Sequence, residues 1–483
     1  MRPAFRFCAQ PLAAFVIGLL SVVLSACGGG GGSSSGSALV NAGTTADPNT
    51  PSFSFANSCT VDNEKRFARS YLNENYLWYN EIPNINFSAF SNVPDYFYSL
   101  LVTTPDANGL PKDQFSFVAT LSNADSFASG INIGFGVEWQ EDQLGRARVA
   151  QVTPGSPAAL AGMARGGEFL GVIASNTTGW FPNVAGAFVT FNYRDTPAAP
   201  VRSIRLDAAP LVENPVPQFS TLVRPSGRRV GYILFNDHSS TAQDPLIDAI
   251  TSLRTGGIND LVLDMRYNTG GFLYVALSLA SMITGPASEG RVFERLQFNN
   301  KRAADSASAV FNFSPRVQFS DSARPAGSPL PQLALPKVYV LTSAFTCSAS
   351  ESVVNGLRGI DVEVVLVGQN TCGKPYGFSR QDNCNLALFP IEFEGFNAKN
   401  AGGYTAGFAP TCAAADDFDH ALGDIREGQL ATALHHIDNG ICPPVAMATA
   451  RGALSVRKQA SSGGLSTPAK PVRPGKLLTP RKP

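Results

Sequence analysis

Histidine is scarce in this chain: His238, His420, His435 and His436 are the four in 483 residues. Cysteines at CxxC spacing are absent, and no Cys/His spacing matches a metal-ligand set, so neither a metal nor a cofactor is expected. Charge is also sparse, at 15% of residues against 44% hydrophobic, which fits a globular protein and excludes a mostly disordered one. The formal net charge of zero hides a split, because both ends lack acids. Residues 27–450 carry 27 basic against 37 acidic residues. A body with that excess lacks the clustered cations that phosphate contacts need, so nucleic acid is not an expected partner. Long apolar runs are missing too. The best candidate, PLAAFVIGLLSVVLSA, is too short for a comfortable membrane span.

That apolar run follows Arg2 and Arg6 and has the shape of a signal peptide, residues 1–26. It ends in LSAC, Leu24 to Cys27, which resembles the bacterial lipobox. The resemblance implies cleavage before Cys27 and lipid attachment to its thiol. Gly28, standing where an aspartate would favour retention at the inner membrane, points by the same resemblance to the periplasmic side of a Gram-negative outer membrane. The run GGGGGSSSGS then reads as a flexible tether, so residues 27–57 form a lipidated linker. Six cysteines remain: Cys59, Cys347, Cys372, Cys384, Cys412 and Cys442. An even number outside the cytoplasm suggests disulfides. Proximity in sequence alone suggests Cys372 with Cys384 and Cys412 with Cys442.

Residues 58–127 show apolar and aromatic residues at helical spacing, in EKRFARSYLNENYLWYNEI and PDYFYSLLVTT, and predict a mostly helical N-terminal segment. Residues 128–210 change character. Short alternating stretches (INIGFGVEWQ, RARVAQVT, EFLGVIAS, AFVTFNYR, VRSIRLDA) separated by glycine and proline predict a small β-rich domain. Residues 211–449 alternate strand and helix, from RRVGYILFN and PLIDAITSLRTGG to VEVVLVG and GDIREGQLATALHHIDNG. That rhythm predicts an α/β domain with a mostly parallel sheet. The Pro-, Ser- and Lys/Arg-rich tail, 450–483, reads as disordered and basic.

Within the α/β part, KVYVLTS-AFTC-SASESVVNGLRG reads as strand, short loop and helix, with Ser348 at the helix start. Serine there is most often a helix N-cap. The same location suits a nucleophile, because helix N-terminal amides stabilise an oxyanion. Lys374 lies just past the strand VEVVLVG, on the sheet edge where sites assemble. A lysine held in an apolar pocket loses affinity for its proton, because desolvation disfavours the ammonium form. Such an amine can accept a serine proton without any histidine. The strand NDLVLDMRYN ends in TGG, whose glycines let backbone amides approach a substrate. With the N–H of Ala349, an amide of Gly270 or Gly271 could complete an oxyanion hole.

Two likenesses give these residues a common meaning. IGFGV (Ile133, Gly134, Phe135, Gly136, Val137) and PGSPAALAGMARGGEFLGVIA resemble a PDZ domain, with Glu168 where an aspartate is usual. The first would be its carboxylate-binding loop, a nest of amides for a peptide C-terminus. LVLDMRYNTGG, TCSASE and VGQNTCGKP, in that order, resemble the C-terminal processing peptidases, or tail-specific proteases. That resemblance covers roughly residues 129–440 and implies a serine endopeptidase with a Ser–Lys dyad. Ser348 would be its nucleophile and Lys374 its base, with an oxyanion hole from Ala349 and Gly270 or Gly271. Phe378 stands where the family often places a glutamine that orients the lysine, and Gln381 is nearby in another register. Cys347 and Cys372 replace residues that are usually small or aromatic. The expected partners are protein or peptide C-termini and, through Cys27, a membrane, with a homo-oligomer or an adaptor lipoprotein also open. The rival readings are an inactive lipoprotein that only holds peptide tails in the PDZ-like groove, and a histidine-containing triad with His238 as base.

Overall fold

The apolar runs that predicted buried strands do lie side by side. The structure is a computed structural model that describes residues 47–444, apart from 181, 183, 213, 321 and 322. The leader, Cys27, residues 28–46 of the expected linker and the basic tail lie outside the described residues, but the linker's last part is ordered: Ser52–Phe55 form a 3-10 turn, and the Ser52 N–H and hydroxyl donate to the Glu74 carboxylate (2.7 and 2.6 Å). Among the described residues no helix is long and apolar enough to cross a membrane.

The N-terminal part begins with helix α1 (Val61–Asn75), whose Thr60 hydroxyl accepts from the Asn63 N–H as an N-cap, and α2 (Val93–Ser99), capped in the same way by Asn92. The stretch PDYFYSLLVTT is helical only as far as Ser99. Leu100 and Val102 turn into the core, and the Val102 N–H donates to the Tyr76 hydroxyl (3.2 Å). Phe117–Thr120 is then a strand, antiparallel to Leu386–Phe389. Partners so distant in sequence leave no local signal, which is why this segment reads as more helical than it is.

An antiparallel five-stranded sheet follows, in the order β1 (Val137–Glu141), β2 (Ala147–Val152), β3 (Glu168–Ser175), β4 (Phe188–Arg194), β5 (Arg202–Asp207). The short helix α3 (Pro157–Leu160) lies between β2 and β3. Phe135, Trp139, Trp180, Phe191 and Tyr193 form a separate core under this sheet. Strand β1 is at the sheet edge, bonded to β2 alone among the described strands.

The larger body holds a six-stranded sheet. Its strands in chain order are β6 (Gln218–Val223), β7 (Arg229–Leu234), β8 (Asp260–Asp264), β9 (Lys337–Thr342), β10 (Glu363–Gly368) and β11 (Cys412–Ala413), and they lie side by side in that same order. All neighbours are parallel except β6 and β7. The connecting helices α4 (Gln243–Thr255), α5 (Leu273–Ile283) and α6 (Ala349–Gly359) share one core with the N-terminal helices, and α7 (Gly428–Asn439) packs on another with β7 to β10. Helix α5 is buried along its whole length, as the run LYVALSLASMI requires. Two smaller antiparallel sheets, one joining Val292–Phe298 to Phe393–Phe396 and one around Leu386–Phe389, complete this body. The α/β rhythm of the sequence gives no hint of them.

Three disulfides join Cys59 to Cys384, Cys347 to Cys372 and Cys412 to Cys442. The pairing expected for Cys372 with Cys384 is corrected. Cys384 sits on a hairpin against the chain's N-terminal side, where the Asn57 N–H also donates to Asn383 Oδ1 (2.8 Å), and Cys372 faces the loop after β9 instead. Proximity in sequence held for Cys412 with Cys442 and failed for Cys372, because the fold brings remote loops together.

The five-stranded domain is anchored to the larger body by Arg165. Its guanidinium donates to Asp416 Oδ1 (2.5 Å), to the Tyr267 hydroxyl (2.8 Å) and to the carbonyls of Asp417 and His420 (3.0 and 3.1 Å). Phe418 packs under it, with the ring centroid 5.0 Å from the guanidinium carbon. Replacing one member of a half-buried, multiply bonded pair strands the other, at a cost of about 3 kcal/mol. Arg165→Ala should therefore lower the thermal midpoint and speed amide exchange in residues 414–420, and thermal unfolding followed by exchange mass spectrometry checks both.

Candidate active site

Parallel strands place their C-terminal ends on one edge, and the loops there carry the residues singled out from sequence. Strand β8 ends at Asp264 and runs through Arg266 and Asn268 into Gly270 and Gly271. Strand β9 leads to Ser348, and β10 leads to Lys374.

Ser348 is fully buried at the start of α6 with φ +59° and ψ −112°, outside the extended conformation that an N-cap usually adopts. A non-glycine residue at such a φ costs of order 1–3 kcal/mol and persists only where its surroundings over-determine it. Among the described residues no hydrogen bond to its Oγ is found. The Ser350 hydroxyl, by contrast, donates to the Asn268 carbonyl (3.0 Å), and the Ser352 hydroxyl to the Ser348 carbonyl (3.3 Å).

Glu351 organises the loop. Its buried carboxylate accepts from the N–H groups of Ser348 (2.9 Å), Gly373 (2.9 Å) and Lys374 (2.8 Å) and from the Thr371 hydroxyl (2.6 Å). Ser348 and Lys374 donate to the same oxygen, Oε2, so one atom holds both backbones. Burial nonetheless pushes this carboxyl above its usual range, against the pull of its donors. The S-x-x-E spacing from Ser348 to Glu351 is a capping-box pattern and was a signal available in the sequence.

Lys374 is 1% exposed. Its Nζ lies 4.4 Å from the Phe378 ring centroid and 5.0 Å from that of Phe115. Phe378, the departure from the family pattern, thus gives the amine an aromatic face. Phe115 comes from the N-terminal part, and no sequence signal tied it to this site. The Gln381 carboxamide donates to the Asp382 carbonyl (2.9 Å).

The glycines beside Ser348 are held by close approach. Gly270 and Gly271 have φ +98° and +145°. A Cβ on Gly270 would come within 3.0 Å of Ala349 N and of Ser348 Cβ, and one on Gly271 within 2.5 Å of the His238 carbonyl. The Gly270 N–H donates to Asn268 Oδ1 (3.0 Å). No hydrogen bond among the described residues engages the N–H of Ala349 or of Gly271. Asn268 Oδ1 also pairs with His238 Nδ1 (2.9 Å), while the Asn268 amide donates to the Phe235 carbonyl (3.0 Å). His238 itself is fully buried, and burial pulls its pKa down to about 3. The ring is neutral at any ordinary pH and serves as a brace for the glycine loop.

Behind the loop, Arg266 is completely buried and bonds both oxygens of Asp264 (2.9 and 3.0 Å), both of Glu427 (2.6 and 2.8 Å) and Asp416 (3.0 Å). Asp416 is the carboxylate that Arg165 holds, so the ion network runs from the five-stranded domain to the β8 end.

In the five-stranded domain, Ile133 and Gly134 end a short strand paired with Ala209–Val212, and Phe135 and Gly136 lead directly into edge strand β1. Phe135 is buried and Gly136 has φ +74°. Glu168 is buried and ion-paired with Arg194 (2.5 Å).

Comparison with known proteins fits this arrangement. Residues 229–385 match the model of peptidase family S41, and residues 63–117 match that of the peptidase S41 N-terminal domain. Those two segments are thus similar in sequence to peptidase family S41. A carboxyl-terminal-processing protease of Picosynechococcus is 27% identical over 277 residues, covering 55% of this chain and 60% of the relative. The chloroplastic carboxyl-terminal-processing peptidase 1 of Arabidopsis thaliana is 24% identical, covering 50% of this chain and 47% of that protein. The chain thus spans about half to three-fifths of these relatives' lengths. An S41 protease structure from Bacteroides fragilis superposes with a TM-score of 0.57 at 24% identity, covering 78% of this chain and 98% of that one. That likeness concerns the fold.

The state of His238 has a measurable consequence. Unfolded histidine takes up a proton near pH 6.5, whereas the folded ring resists one down to about 3. The unfolded chain therefore binds more protons between those values, and stability falls as pH drops through 6.5. Between pH 7 and pH 5 this residue alone should remove about 2 kcal/mol, and the slope should shrink by that amount in His238→Gln. Urea unfolding at the two pH values measures it.

Proposed function

We propose that the chain is a serine endopeptidase of the C-terminal processing type, using Ser348 as nucleophile and Lys374 as base. The observation that carries this reading is the shared Glu351 oxygen that holds the N–H groups of both residues. The buried hydroxyl at a positive φ and the family match over residues 229–385 support it further.

In this mechanism the neutral Lys374 amine takes the Ser348 proton as Oγ attacks the scissile carbonyl. The N–H groups of Ala349 and Gly271 receive the oxyanion, since the Gly270 N–H is already spent on Asn268. Lys374 returns the proton to the leaving amine as the tetrahedral intermediate collapses, which leaves an acyl-enzyme. It then deprotonates a water molecule, whose attack releases the new C-terminus and restores Ser348. The two phenylalanine rings stand in for the missing glutamine by fixing the lysine side chain.

The five-stranded domain is read as a PDZ-like module. The open edge of β1 offers main-chain groups to an incoming strand, and the amides at Ile133 to Gly136 offer a nest for its terminal carboxylate. With Cys27 lipidated and the Gly/Ser run as tether, the enzyme would work on the periplasmic side of an outer membrane.

Turnover of an unstructured protein or a tailed fluorogenic peptide tests the proposal. Ser348→Ala and Lys374→Ala should each cut kcat by at least about a thousandfold, the scale on which catalytic units fail together. Phe378→Leu, which keeps apolar volume but removes the ring face, should lower kcat by about tenfold with little change in KM. Undiminished turnover in Ser348→Ala would overturn the reading.

A further inference from the structure

We propose that the Cys347–Cys372 disulfide is a positioning device for the serine–lysine pair, so that turnover requires this bridge to be oxidised. The inference rests on the dyad assignment above and goes beyond it. Cys347 immediately precedes Ser348, and Cys372 lies two residues before Lys374. The bridge therefore ties the loop after β9 to the loop after β10 at the two points where they carry the reacting groups. The other two bridges lie elsewhere, one on the hairpin at Cys384 and one joining β11 to the chain beyond α7.

The loops need such a tie. Ser348 holds φ +59°, a conformation that relaxes unless neighbours enforce it. Besides Glu351, the Cys372 N–H bond to the Thr346 carbonyl (3.0 Å) links these two loops. Glu351 reaches Ser348 and Lys374 through hydrogen bonds that depend on loop position, whereas the disulfide sets that position covalently. A misplacement of about 1 Å in an aligned reacting pair costs about a hundredfold in rate, so loosening this tie should be felt in kcat.

The exposures give the chemistry a direction. Cys347 is 1% exposed, while Cys372 is half-buried and reachable. A dithiol reductant would attack the Cys372 sulfur through one thiolate, forming a mixed disulfide and releasing the Cys347 thiolate. Its second thiol would then resolve that mixed disulfide and release Cys372. The bridge gains two electrons and two protons, and the dithiol leaves as a disulfide.

The experiment compares the unmodified protein, the pair variant Cys347→Ala/Cys372→Ala and the control Cys412→Ala/Cys442→Ala, each with and without dithiothreitol. Peptide turnover, fluorophosphonate labelling of Ser348 and amide exchange at Ser348, Gly373 and Lys374 are read in all of them. Reduction of the unmodified protein should lower kcat and labelling by about tenfold or more, leave KM within about twofold, and speed exchange at the three amides. The pair variant should start low and ignore dithiothreitol, and the control should keep the full response. Full kcat and unchanged exchange in the pair variant, or an equal dithiothreitol effect in it, would overturn the proposal. If the oxidised protein neither turns over peptide nor labels, the peptidase reading has failed, and the exchange arm alone decides the positioning role. Because reduction needs no substitution, a folding defect in the variant cannot masquerade as support.

Discussion

A single buried carboxylate sets the terms for the site. Glu351 is held in a place where a charge is costly, and burial raises its pKa. What offsets that cost is a set of donors from both sides: the Ser348 N–H on its own helix, and the Thr371 hydroxyl with the Gly373 and Lys374 N–H groups on the neighbouring loop. The arrangement is reciprocal. The loops satisfy the carboxylate only when they stand together, and the carboxylate keeps them together because leaving it unmet is expensive.

The same logic recurs at Arg266, one strand over. A fully buried guanidinium meets three carboxylates, and one of them, Asp416, is also the landing point for Arg165 from the five-stranded domain. Arg266 lies four residues before Gly270, so the segment that leads to the glycine loop is pinned at its root by ions and at its tip by Asn268 and His238. The domain that presents the open strand edge is thus wired by contiguous side chains to the strand end beside Ser348. Rigid scaffolds of this kind let short loops hold demanding conformations.

Much of the frame was legible. Every strand–helix alternation between RRVGYILFN and the late helix appears where the apolar runs placed it, because a strand buried on both faces leaves little freedom in composition. The alternating stretches between Ser129 and Asp207 are likewise strands of a small sheet, where one face packs and one is wet. Pairing across long separations was not legible. The strand Phe117–Thr120 exists because Leu386–Phe389 offers it an edge, and Cys59 finds Cys384 through the fold alone. At the site, Ser348, Lys374, Gly270 and Gly271 could be named from their positions past strand ends. Glu351 hid inside a motif already quoted, and Phe115 had no local mark at all.

The sequence by itself determined the strand–helix alternation of the larger body, its mostly parallel sense and the types of side chain at the strand ends, since these follow from apolar periodicity and from glycine, serine and lysine at turns. Only the tertiary structure decided which glycine amide is left open, what surrounds the lysine, that His238 is a neutral brace, and which cysteines meet. Each of those depends on a partner from another loop, and a hydrogen bond or a ring contact has no trace in either residue until folding brings the two together.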